Sequence, residues 1–397
     1  MCTSANQIAK QPPQRRILYL LSRYPVWSET FIRQDMSLLQ KELPEIKFAA
    51  LFAGDCSPLP EWPETHVLDK ETSISIEGRS TCNKLRRIIP ASMQARLVLY
   101  KRRALLQELA ELAEAWQVEH IHAEFADLAA FLGLATARKL GLDFSFGVHA
   151  ADVYTNQYSL GSLVTGASFI CACNQAVAQY LARKHPQAEV KLHLIHHGLL
   201  LADWPFQEKP SLQQPLQLCF VGRFVPKKGI DILLQACALL RNKGVDLQLT
   251  LAGDGPLAAG LRKLTDELGL ESQTCWLGQI SRAQVKELMQ KSDIFCLPSI
   301  KDSDDNQEGV PNVLVEAMAL GLPALGSQSG SIAELLNPET GWPIKELNPE
   351  TLAQGIEDII NSPQQWQKRR LAARQQVEKE FCALENGRRR AALLHQA

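Results

Sequence analysis

The fold class that the sequence predicts is α/β, as two Rossmann-like βαβ domains facing a cleft. Three observations predict it. Short apolar runs alternate with amphipathic segments along the whole chain, the pattern of parallel sheets with crossover helices. At 397 residues the chain exceeds what one hydrophobic core usually serves. A polar stretch carrying Pro205, Pro210 and Pro215 interrupts the pattern near its middle. The expected division is an N-terminal domain over 1–204, a C-terminal domain over 205–370 and a last helical segment over 371–397.

The runs 17–21, 48–52, 118–125, 142–148, 167–173 and 190–195 read as strands of the first domain. The runs 216–221, 246–252, 274–277, 293–297 and 322–326 do so for the second. Between strands, Leu105, Leu109, Leu112 and Trp116 recur on one helix face. Ligands of such domains bind at the C-terminal ends of strands, so residues that follow the apolar runs are the candidates for chemistry.

With 46% hydrophobic and 21% charged residues the composition is that of a soluble globular protein. A net charge of -1 argues against a nucleic-acid binder, which needs a broad basic field. Ten cysteines are scattered through apolar runs, among them Cys219, Cys237, Cys275 and Cys296, which reads as buried thiols in a reducing cytosol. Cys171 and Cys173 lie in the expected strand 167–173 with no second pair at ligand spacing, so a metal site is not expected there. The apolar run 17–21 is too short for a signal or spanning segment. The expected location is cytoplasmic.

Glu308 and Glu316 stand eight positions apart in Glu308-Gly309-Val310-Pro311-Asn312-Val313-Leu314-Val315-Glu316, and Gly321-Leu322-Pro323 follows. Pro311 suits the first turn of a helix and Gly321 its end. One carboxylate thus precedes a helix N-terminus, whose N–H groups and dipole suit a phosphate, and the other lies a turn inside. Two sugar-binding acids flanking an anion site match the shape of a nucleotide sugar. The stretch resembles the paired-glutamate motif of retaining nucleotide-sugar glycosyltransferases with the GT-B fold, the kind that includes sucrose and glycogen synthases. By position, Glu308 ahead of the helix is expected to act on the transferred hexose and Glu316 behind it to hold the nucleotide, with Gly309, Val310, Pro311 and Asn312 lining the donor.

Other motifs carry the resemblance along nearly the whole chain. Gly222-Arg223 and Lys228-Gly229 follow the run 216–221 and look like the family's phosphate clamp, with Arg223 and Lys228 on the diphosphate. Lys227 reads as surface. Gly253-Asp254-Gly255-Pro256 matches a landmark turn, and Gly278, Gln279 and Ile280 stand where relatives read the nucleobase. His149 and Asp152 match a His-x-x-Asp element whose histidine reaches the transferred sugar. His122, in His122-Ala123-Glu124-Phe125-Ala126, resembles an element of exopolysaccharide glycosyltransferases. Asn174 and His197 are further polar candidates at strand ends.

The first βα turn, Arg23-Tyr24-Pro25-Val26-Trp27-Ser28-Glu29-Thr30-Phe31, lacks the glycine pair of many members. It resembles the subgroup making colanic-acid-like polysaccharides, with Ser28 as a helix cap. Trp27, Glu29 and Arg33 are therefore expected to recognise the acceptor. Asp302-Ser303-Asp304 reads as a solvated loop, and no metal cofactor is expected. Seven basic residues and no acid occupy 84–103. That segment reads either as a patch for the inner face of the cytoplasmic membrane, suited to a lipid-linked acceptor, or as an ordinary exposed helix. The resemblance implies a hexosyltransferase of exopolysaccharide or cell-surface polysaccharide synthesis. The rival readings are an epimerase of the same fold and a bilobed sugar-binding protein.

Overall fold

The computed structural model describes residues 15–26, 29–69, 100–154, 160–209, 211–212, 214–301 and 308–396. It divides into two compact units. The first holds the described residues up to Cys173, then Val177–Ile195, and the end of the chain from Leu384; the second holds Asn174–Ala176 and His196–Ala383.

The first unit is built on seven strands: β1 (Ile17–Tyr24), β2 (Ile46–Ala53), β3 (Thr65–Asp69), β4 (His120–Ala123), β5 (Asp143–Val148), β6 (Ile170–Ala172) and β7 (Leu192–Leu194). All pair in parallel, in the order β3-β2-β1-β4-β5-β6-β7. Buried on both faces, β1 sorts its apolar residues by the strand's period of two. Leu18 and Leu20 join one core, while Ile17, Tyr19 and Leu21 join the other. Helix Ala383–Gln396 supplies Ala391 and Leu394 to that second core. Helix Arg103–Ala115 turns Leu105 and Leu109 inward, as its periodicity predicts.

The second unit has six parallel strands, β8 (Leu216–Val221), β9 (Leu247–Ala252), β10 (Thr274–Gly278), β11 (Ile294–Leu297), β12 (Ala324–Ser327) and β13 (Trp342–Ile344). Their order is β10-β9-β8-β11-β12-β13. In both sheets the order reverses beside the unit's first strand, at β1/β4 and at β8/β11. Loops leaving the C-terminal ends of those neighbours diverge and open a crevice, which is where ligands of such sheets bind.

β3 and β13 lie outside the expected strands, because both are short edge strands without long apolar runs. The burial expected for Cys275 is also corrected. That residue is exposed, because edge strand β10 is only partly covered and alternation turns Trp276 toward the core and Cys275 away. Cys219, Cys237 and Cys296 are buried, and the described cysteines form no disulfide. Among the described residues no helix is long and apolar enough to cross a membrane.

Candidate active site

At the β8/β11 crevice the chain leaves β8 through Gly222 and the exposed Arg223, makes a tight turn over Pro226–Lys228, and enters helix Ile230–Asn242. Gly229 joins the two at φ +60, and a Cβ there would lie 2.0 Å from the Pro298 carbonyl oxygen. Only glycine permits that approach. The Ile300 N–H donates to the Lys227 carbonyl at 2.8 Å, tying the loop after β8 to the loop after β11.

Lys228 is buried, and its Nζ lies 3.1 Å from Glu308 Oε1. Lys227 reaches the same oxygen at 3.6 Å. The surface position expected for Lys227 is therefore corrected: the tight turn folds both ammonium groups back onto Glu308. The glutamate is also held through its backbone. Its carbonyl accepts the Ser331 N–H at 3.0 Å, and Gly330, at φ +57, packs so close that a Cβ would lie 2.1 Å from the same oxygen. Gly330 and Ser331 went unnoticed in the sequence, where the only signal is a glycine-serine run after a strand.

Helix Asn312–Leu320 starts at Pro311 with no side-chain cap. The N–H groups of Leu314 and Val315 turn back to the Pro311 carbonyl, at 2.9 and 3.3 Å. Those of Asn312 and Val313 are first-turn donors at the positive end of the dipole. Gly309 and Val310, half-buried, connect Glu308 to this turn. Glu316 lies inside the helix, buried, with Oε1 3.4 Å from Arg282 Nε. Burial pushes its carboxyl up to about 7, with Arg282 pulling the other way. The two glutamates therefore have separate cationic partners.

Gly278 ends β10 at φ +67, and its carbonyl accepts the Gly253 N–H at 2.7 Å. Gln279 beyond it is exposed, and Ile280 packs half-buried on the core. His197 is half-buried and Asn174 buried.

At the β1/β4 crevice, Glu124 follows β4 and His149 follows β5. Glu124 is 2% exposed. It accepts a hydrogen bond from Tyr19 Oη, and its Oε1 lies 3.4 Å from His149 Nε2. Asp152 accepts the His149 backbone N–H at 2.8 Å and stands 3.6 Å from its Nδ1. Burial works against the His149 cation, but Cys173, Asp152 and Glu124 together hold its pKa well above the ordinary imidazole range. His122 is wholly buried instead of lining a crevice. Its Nδ1 and His120 Nε2 each lie 2.7 Å from Ser145 Oγ, and burial lowers the pKa of both rings.

Glu29 takes the N-cap position of helix Thr30–Glu42. Burial pushes its carboxyl up to about 7 against the pull of His149. Arg33 turns away from solvent, donating to the Val26 carbonyl at 2.6 Å and lying 4.3 Å over the Trp62 ring. It braces the loop. Trp27, Ser28, Asp302 and Asp304 lie outside the described residues, as does 84–99 of the basic stretch.

The chain is similar to known proteins in sequence and in fold. Residues 204–379 match the family model described as glycosyl transferases group 1. That segment belongs to the group 1 glycosyl transferases. The chain is 33% identical over 199 residues to the amylovoran biosynthesis glycosyltransferase AmsK of Erwinia amylovora, a match covering 48% of this chain and 47% of that protein. The chain thus spans about half the length of that curated relative. In structure it is similar to HepE of Anabaena solved with UDP, at a TM-score of 0.71 and 17% identity over 96% of this chain and 100% of that one. It is similar also to WaaG, a glycosyltransferase involved in lipopolysaccharide biosynthesis, at a TM-score of 0.63 and 15% identity over 96% and 100%. With the two parallel sheets, these likenesses establish the GT-B fold of this chain.

Proposed function

We propose that the protein transfers a hexose from a nucleotide diphosphate sugar to a saccharide or lipid-linked saccharide, with retention of configuration, in bacterial exopolysaccharide or cell-surface polysaccharide synthesis. One observation carries the reading: an uncapped helix start, with Glu308 immediately before it beside Lys228, at the switch point of a group 1 glycosyl transferase domain. Arg223 and the first-turn N–H groups would hold the diphosphate by charge-assisted bonds. Lys228 has three donors, so it can keep Glu308 and take a phosphate oxygen as well. The leaving diphosphate is then neutralised by side chains, and no metal is required.

Glu308, ahead of the helix, is assigned to the hexose, and Glu316, behind it, to the ribose hydroxyls. Gly278, Gln279 and Ile280 are assigned to the base. His149 is assigned to the transferred sugar, where developing charge makes a fixed polar group effective in turnover. Glu29 is assigned to the acceptor side. HepE is described with UDP and with UDP-glucose, which supports a nucleotide sugar as donor.

The test is a thermal-shift screen over UDP-, GDP- and ADP-sugars, followed by transfer assays with the stabilising donor. A ligand at about 100 times its Kd adds ~2.7 kcal/mol of stability. No stabilisation by any of them overturns the reading. Conversion of the sugar without an acceptor identifies the epimerase instead, and a product of inverted configuration removes retention.

A further inference from the structure

The first unit holds a buried charge that transfer chemistry at the strand ends does not itself require. Arg390 lies on helix Ala383–Gln396 and is 4% exposed. Its Nη1 is 2.5 Å from Asp35 Oδ2, on helix Thr30–Glu42, and Asp35 is buried too. An ion pair taken out of water often contributes no more stability than well-packed apolar residues would. Such a pair therefore calls for a use beyond packing.

Its surroundings suggest the use. Beyond Asp35, Arg390 acts electrostatically on Glu124, Tyr19 and Cys171. Glu124 is the carboxylate that Tyr19 donates to and that His149 faces at 3.4 Å. Burial alone would raise the Glu124 carboxyl, but Arg390, His122 and His149 hold it well below the usual carboxylate range. Arg390 is thus paired with Asp35, Glu124 faces a histidine at the C-terminal end of β5, and the link between the two is electrostatic. His122 and His120, neutral by burial and bound to Ser145, frame it without adding charge.

We propose that Glu124 is the positioning residue of His149, and that Arg390, delivered by the last helix of the chain, is a buried counter-charge to Glu124. The proposal rests on the reading above only in giving His149 a part in turnover. Glu124 fixes the imidazole from Nε2 while Asp152 faces Nδ1. The ring is therefore held as imidazolium in one orientation. Other titratable groups acting on it include Glu29 before helix Thr30–Glu42, His122 on β4 and Cys173 after β6.

The test follows the His149 ring by NMR in the full-length, histidine-labelled protein, with its signal assigned by loss in His149→Gln. The wild-type ring should remain protonated through neutral pH, above the ordinary midpoint of about 6.5. Glu124→Gln keeps the shape and removes the charge; the midpoint should fall by about 1–3 pH units, the span an adjacent opposite charge usually accounts for. Glu124→Asp should restore part of that shift. Arg390→Gln combined with Asp35→Asn should move the midpoint in the same direction as Glu124→Gln. A wild-type midpoint at or below the ordinary value overturns the proposal even if no variant folds. So does a folded Glu124→Gln protein with an unmoved midpoint, and an unmoved midpoint in the double variant removes Arg390 from it. Unimpaired turnover in His149→Ala, by contrast, would contradict the proposed function and leave the titration result standing.

Discussion

Replacing Glu316 by glutamine should make the protein more stable at pH 8 in the absence of nucleotide, and worse at binding one. The carboxyl is raised from 4.5 to about 7, first by burial and against the pull of Arg282. At about 1.4 kcal/mol per pH unit, ionising it in the folded state costs about 3 kcal/mol more than in the unfolded chain. The sign follows from proton binding. The folded state holds the proton more tightly, so this residue's contribution is intact below pH 4.5 and is lost as pH rises from there to about 7. Glutamine has no such slope, and the groups common to both proteins cancel in the comparison. The stability difference, variant minus wild type, should therefore grow by about 2–3 kcal/mol between pH 5 and pH 8, read as urea-unfolding free energies. Loss of the half-exposed Arg282 partner offsets this only by the ~0–1 kcal/mol usual for such pairs. A carboxylate kept at such cost fits a ligand-binding role. Nucleoside diphosphate affinity should accordingly fall about 10- to 150-fold, the value of a charged hydrogen bond at ~1.5–3 kcal/mol. A stability difference that is flat with pH would refute the reasoning.

Arg223→Ala should weaken nucleoside diphosphate binding by about 10- to 150-fold in calorimetry, and transfer should survive EDTA. A strict need for Mn²⁺ or Mg²⁺ would return Asp302 and Asp304 to consideration. Gly330→Ala places a methyl group 2.1 Å from the Glu308 carbonyl oxygen at a positive φ, so it should displace Glu308 and lower kcat at least ~10-fold while helix Asn312–Leu320 and nucleotide binding persist. Unaltered turnover would show that the loop yields freely. The basic stretch 84–103 should bring the protein to anionic vesicles at low salt, since each Lys or Arg near such a surface contributes ~1 kcal/mol. Equal flotation of a variant with Arg86, Arg87, Arg102 and Arg103 changed to Gln would mean a merely solvated face.

The parts of this molecule that were legible in the sequence are those written in short stretches of it. Buried parallel strands such as β1 and β11 appear as apolar runs because both faces are covered. Glu308 and Glu316 share one loop and helix, and Arg223 and Lys228 share one turn, so local spacing placed them. Contacts between distant segments left no such mark. Lys227 looked like surface because its partner Glu308 comes from another loop. Gly330 and Ser331 hold Glu308 from after β12, and Arg390 pairs with Asp35 from the far end of the chain. His122 stood at a strand end like His149, yet Ser145 on the neighbouring strand β5 draws it inward. Alternation within edge strand β10 likewise decided the exposure of Cys275, which composition does not encode.

The most direct test of the central claim, that Glu308 serves the reacting sugar and Glu316 the nucleotide, is a paired measurement on Glu308→Gln. Its kcat for transfer and its affinity for the free nucleoside diphosphate should be determined on the same preparation. Contacts that strengthen as charge develops at the anomeric carbon chiefly raise turnover. The account predicts a kcat lower by ~10²-fold or more with nucleotide affinity nearly unchanged. Lost nucleotide affinity with an intact kcat would contradict it.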